Sequence, residues 1–223
     1  MKRIKLIYYI SLAVFVLCGI LFVNVSRYSK TAGIVENLKD KTIIFYSSNH
    51  KRMYLNSHNI KINDMEMLCL EGVSYLKEGG LNPFFLRITE GSDDIFTQSY
   101  SCLKKSLKKD IKYVLLDISR GQTKHGERYM AGKNVCCPIS IIISKKSKSS
   151  SDSLLFAGRI KAEIDRNYKT LPVQIVTVDD QDYNQSMGAI GMLIEIGDAA
   201  NTFEEAKGSL KILSKAIIDV TNQ

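Results

Sequence analysis

From residue 42 onward, short apolar runs alternate with longer stretches in which apolar positions recur every three or four residues. Thr42 to Tyr46, Tyr113 to Ile118, Pro138 to Ile143, Val173 to Val178 and Gly191 to Ile196 have strand length and few polar breaks. Between them, Met65, Leu68, Cys69, Gly72, Val73 and Leu76 form one helix face, and Phe96, Tyr100, Leu103 and Leu107 form another. Ala157, Ile160, Ile164 and Tyr168 predict a third helix, begun by Ser151 or Asp152. Phe203, Ala206, Leu210, Leu213, Ile217 and Val220 predict a last helix, capped by Asn201 or Thr202, and Thr202 with Glu205 has capping-box spacing. Strands without polar alternation are buried on both faces. The pattern therefore predicts an α/β fold, a mainly parallel central sheet with helices on both faces. Ligands of such sheets bind beyond the carboxyl ends of the strands. This singles out Ser47 to Tyr54, Ser119 to Gly132 and the end of the Met192 to Gly197 run.

The N-terminus follows a different rule. Leu6 to Val25 holds twenty residues without a charge, enough for a helix of roughly 30 Å, the thickness of a bilayer core. Lys2, Arg3 and Lys5 precede it, which favours a cytoplasmic N-terminus and an exported remainder. Val23-Asn24-Val25-Ser26 is a poor cleavage site. The expectation is a single-pass anchor and short linker over residues 1–30 and an extracytoplasmic domain over 31–223.

Composition changes this picture little. Apolar residues at 45% and charged residues at 24% are an ordinary globular mix. The net charge is +8, of which Lys2, Arg3 and Lys5 supply three, leaving +5. A mildly basic domain suits an anionic wall polymer or lipid surface. The lysines fall in separate clusters and no nucleic-acid-binding motif occurs, so no nucleic-acid partner is expected. The five cysteines, Cys18, Cys69, Cys102, Cys136 and Cys137, include no C-x-x-C pair, and adjacent Cys136 and Cys137 would strain a disulfide. Reduced thiols are expected, and a Cys136 nucleophile with His125 as base has no supporting motif.

Glu195 interrupts an apolar strand at its carboxyl end. A carboxylate there must be paired, hydrogen-bonded or protonated. Two readings stay open: a general acid/base, or an ion-pair partner of Arg120 or Arg128.

Tyr183-Asn184-Gln185, Met192-Leu193-Ile194-Glu195-Ile196-Gly197 and Asn201-Thr202-Phe203-Glu204-Glu205-Ala206 together resemble the C-terminal signature of the stage II sporulation protein P family. Leu115-Leu116-Asp117-Ile118-Ser119-Arg120 resembles that family's Asp-Ile-His-Arg-Asp motif. The segment from Ile43 to Tyr54 lines up without gaps on its His-Thr-His-x-x-Glu-Ser-Tyr motif. The resemblance covers roughly Thr42 to Val220 and implies a zinc-dependent N-acetylmuramoyl-L-alanine amidase fold that acts on peptidoglycan in the space between forespore and mother cell. The catalytic glutamate of the late strand falls on Glu195. The metal-ligand positions fall on Ser47, Asn49, Arg52 and Ser119, and Gly121 replaces the acid that follows the second motif.

Catalytic zinc needs about three protein ligands, usually His or carboxylate. Hydroxyls and an amide are poor ligands, and Arg52 would set a fixed positive charge at the metal position. Zinc is therefore not expected as a cofactor. His50 and His125, or His58, are the possible substitute ligands beside Glu195, and an Arg52–Glu195 pair is the electrostatic replacement for the metal. The expected function is a catalytically inactive relative that binds peptidoglycan or a cell-wall remodelling protein. The alternatives are an active amidase with shifted ligands and a structural membrane-anchored assembly protein.

Overall fold

The computed structural model describes residues 40–223, except 56, 58–62 and 90–93. The expected anchor over residues 1–30, Cys18 and His58 lie outside the described residues; among those described, no helix is long and apolar enough to cross a membrane.

Among the described residues, eight strands and four α-helices follow in the order β1 (Thr42–Tyr46), α1 (Asp64–Glu78), β2 (Asn82–Phe85), α2 (Ile95–Ser106), β3 (Tyr113–Ser119), β4 (Tyr129–Ala131), β5 (Asn134–Cys136), β6 (Ile139–Ser144), α3 (Ser150–Asn167), β7 (Val173–Val178), β8 (Ile190–Ile196) and α4 (Phe203–Asn222). Six strands form one sheet in the order β2-β1-β3-β8-β6-β7. Its neighbours run parallel except β6, which is antiparallel to β8. The mainly parallel α/β expectation therefore holds.

The uniform apolarity of the strands has a direct cause. On β1, Ile43 and Phe45 join the core shared with α1, α3 and α4, while Ile44 and Tyr46 join a second cluster with Leu103 of α2. On β3, Val114, Leu116 and Ile118 face the first cluster and Tyr113 and Leu115 the second. Alternate side chains point to opposite faces, so both sets must be apolar when both faces are covered. The capping box on α4 forms as its spacing predicts: Glu205 N donates to Thr202 Oγ1 at 3.3 Å and Thr202 N to Glu205 Oε2 at 3.0 Å.

Several elements differ from the sequence expectation. The β2 strand was not predicted, because it is four residues long and carries Pro83. It survives as an edge strand, where a missing N–H costs no ladder bond. The β4–β5 hairpin lies inside what reads as a loop, and Gly132 at φ +63° makes its turn. α3 begins at Ser150, one residue earlier than expected. Gly191 lets β8 pass beneath the short 3₁₀ turn Gln185–Met187: a Cβ there would stand 2.6 Å from the Gln185 Cα and carbonyl oxygen.

Candidate functional site

The sheet order makes β1, β3 and β8 neighbours, and their carboxyl ends carry the three segments singled out above. Tyr46 lies beside Asp117, and Ser119 beside Glu195. Beyond these ends opens a cleft of about 340 Å³, whose polar lining includes Asn49, Arg52, Asp117, Ser119 and Glu195. Its apolar walls are Ile95, Phe96, Ile142, Leu193 and Tyr183.

Arg52 holds these polar groups together. Its Nη1 donates to Ser119 Oγ at 3.1 Å and to the Arg120 carbonyl oxygen, and lies 3.5 Å from Glu195 Oε1. This is the anticipated Arg52–Glu195 pair, and it corrects the alternative assignment of Glu195 to Arg120 or Arg128. Arg120 is bound instead to the carbonyls of Met53 and Gly121, and Arg128 to Glu205. Each of these arginines leaves a nearer backbone loop or carboxylate satisfied, so neither turns to the cleft. The pair is partly screened, with side chains 17% and 27% exposed. Replacing Glu195 by Gln should lower stability by about 1 kcal/mol, between the values of exposed and buried pairs. Thermal unfolding checks this, and an unchanged melting curve refutes it.

Asp117 lies at the floor of the cleft. Its Oδ1 accepts from Ser48 N at 2.9 Å and its Oδ2 from Ser48 Oγ at 2.6 Å. Burial pushes its carboxyl up to about 7, against the pull of Ser48 and the Arg52 charge. The sequence reading passed over Asp117 as a site residue, although it interrupts an apolar run just as Glu195 does. It also missed Phe96 and Tyr183, whose rings meet edge to face at 5.1 Å. Tyr183 and Asn184 both have positive φ, 52° and 61°. Asn184 Nδ2 holds this unfavourable backbone by donating to Ser99 Oγ at 2.8 Å and to the Phe96 carbonyl at 3.1 Å.

The remaining residues divide. Ser47 is buried and does not line the cleft; its Oγ has no hydrogen-bond partner among the described residues. The same holds for Nδ1 of the buried His50. His125 lines an adjoining cavity of about 300 Å³ that shares Gln122 and Glu195 with the cleft. Asp198 walls that cavity, accepting from Thr123 Oγ1, His125 N, Gly126 N and Ala200 N. Cys136 is fully buried and its thiol is raised by burial, which keeps it protonated and unsuited to nucleophilic attack.

Zinc does not fit the residues present. The cleft supplies amides, hydroxyls and a guanidinium around two carboxyl groups: Glu195, which the guanidinium already engages, and Asp117, which is buried and held by Ser48. Among the described residues, no three His, Cys, Asp or Glu side chains come together as a metal site.

The profile of the stage II sporulation protein P family matches residues 88–218, more than half of the chain. Comparison with curated proteins gives no match. Among solved structures, the chain is similar to the CwlD amidase from Clostridioides difficile in complex with the GerS lipoprotein: 14% identity over 82% of this chain and 96% of that one, with a TM-score of 0.54. It is also similar to the catalytic domain of the CD27L endolysin targeting Clostridia difficile, at 13% identity, the same coverages and a TM-score of 0.51. At these identities the likeness establishes a shared amidase fold. The profile match, joined to that fold, identifies the chain as a member of the stage II sporulation protein P family, a cell-wall-related sporulation protein with an amidase-like domain.

Proposed function

We propose that this domain is a non-hydrolytic member of its family that binds peptidoglycan through the cleft at the ends of β1, β3 and β8. Residues 6–25 would hold it on the outer face of the membrane, in the space between forespore and mother cell. The observation that carries the reading is the position of Arg52. Its permanent charge stands within hydrogen-bond reach of Ser119 and 3.5 Å from Glu195, the positions that resemble a metal ligand and the catalytic glutamate. A guanidinium there repels a divalent cation and occupies the carboxylate that would work on a zinc-bound water. The cleft itself keeps its apolar walls and converging polar groups, the features of a binding site.

Metal analysis of the purified protein should find no stoichiometric zinc. Incubation with peptidoglycan should release no peptide, while sedimentation with purified sacculi should retain the protein. Stoichiometric zinc with peptide release would establish the displaced-ligand amidase, for which His125 beside Glu195 in the adjoining cavity is the supporting observation. A cell-wall protein is the other occupant for which there is support, because the CwlD structure is a complex with a lipoprotein. Absence of binding to sacculi would favour that reading.

A further inference from the structure

We propose that the cleft recognises a free peptide carboxylate, gripped by the outer edge of Arg52, so that the residue that excludes the metal is also the ligand anchor. This rests on the reading of the cleft as a peptidoglycan-binding site and names the chemical group bound there. All polar contacts of the Arg52 side chain pass through Nη1. The Nε–Nη2 edge has no protein partner among the described residues, although the side chain is only 17% exposed and lines the cleft. Such an edge is a planar pair of donors matched to the two oxygens of a carboxylate. The contacts through Nη1 hold the fork in place before any ligand arrives, which lowers the ordering cost of binding.

The surrounding charges set the kind of anion. Arg120, clamped by the Met53 and Gly121 carbonyls, adds a second guanidinium whose charge is felt at Arg52. Glu195 opposes them from 3.5 Å. Asp117, the other carboxyl of the lining, is held protonated below about pH 7 by burial. In that range two cations against the Glu195 carboxylate leave room for a single negative charge, whereas a dianionic phosphate would be repelled by Glu195. The apolar lining of Phe96, Tyr183, Ile142 and Leu193 suits the aliphatic parts of a short peptide.

The test uses the full-length protein in detergent and calorimetric titration with a soluble disaccharide–peptide fragment of peptidoglycan. The same fragment with its carboxylates converted to carboxamides is the comparison. The carboxamide form should bind about ten- to a hundredfold more weakly, the range for losing hydrogen bonds to a charged group. Arg52→Gln should bind both forms alike, and Arg52→Lys should keep part of the preference. Glu195→Gln, which removes the competing carboxylate, should bind the acid form more tightly than the unmodified protein does. Equal affinity of the unmodified protein for both fragments would overturn the carboxylate anchor while leaving peptidoglycan binding intact, and needs no variant to fold. Persistence of the preference in Arg52→Gln would likewise overturn it. Failure to bind either fragment, together with failure to bind sacculi, would overturn the proposed function as well.

Discussion

Replacing Asp117 by Asn should stabilise the protein above neutral pH and remove a loss of stability that the unmodified protein shows between about pH 4 and 7. The Asp117 carboxyl has an ordinary value of 3.8, raised to about 7 by burial. Below pH 4 it is protonated whether the chain is folded or not. As pH rises towards 7, the unfolded chain releases this proton and the folded chain keeps it, so stability falls. Above 7 both states are ionised and the loss is complete. A rise of about three pH units corresponds to a loss on the order of 4 kcal/mol. An asparagine can take over both contacts, with Oδ1 accepting from Ser48 N and Nδ2 donating to Ser48 Oγ. Ser48 can then donate to Ser99 Oγ, now 2.9 Å away. Tyr46 and Cys69, whose ionisation the Asp117 charge opposes, would be relieved of it, while Arg52 would lose an attractive charge. Urea unfolding at pH 5 and pH 8 measures the effect. A gap between variant and unmodified protein that is the same at both pH values would refute it.

Truncating Asn201 to Ala should cost about 2–4 kcal/mol. Asn201 is fully buried. Its Oδ1 accepts from Asp198 N at 2.9 Å, and its Nδ2 donates to the Glu127 carbonyl at 3.0 Å and to Glu205 Oε2 at 2.9 Å. Removal leaves a buried N–H and a carbonyl without partners, each costing about 1–3 kcal/mol, and weakens the capping-box carboxylate of Glu205. The three tethered segments also shape the adjoining cavity, because Asp198 gathers the backbone of His125 and Gly126. Chemical denaturation would register the loss, and a change within about 0.5 kcal/mol, the range of an ordinary surface substitution, would contradict it.

Hydrophobic pattern places best the strands whose apolar run has clear ends, whether the strand is buried nearly throughout, as β1 is, or lies half-exposed at the sheet edge, as β7 does. The runs at Thr42 and Val173 match β1 and β7 residue for residue, because each run's pattern, length and bounds say the same thing. The elements missed are those held by neighbours rather than by their own pattern. Pro83 argues against a strand until the edge position is known, and the three-residue β4 and β5 have no period to detect. For the site, Glu195 was legible because a charge in an apolar strand demands a partner. Asp117 obeyed the same rule and was overlooked.

The local chemistry of this protein is written in its residue types. Serine, asparagine and arginine stand at the positions that resemble the family's imidazole and carboxylate ligands, and no folding can give a guanidinium a lone pair for a metal. Which groups meet is a different matter, decided by the sheet. Placing β8 between β3 and β6 brings Glu195 beside Ser119, 76 positions earlier in the chain, and the loop after β1 then delivers Arg52 to both. Ion pairing depends on distances of a few ångströms. Three arginines, Arg52, Arg120 and Arg128, could each have been the partner of Glu195 on sequence alone, and only the packed strand order and its loops select Arg52.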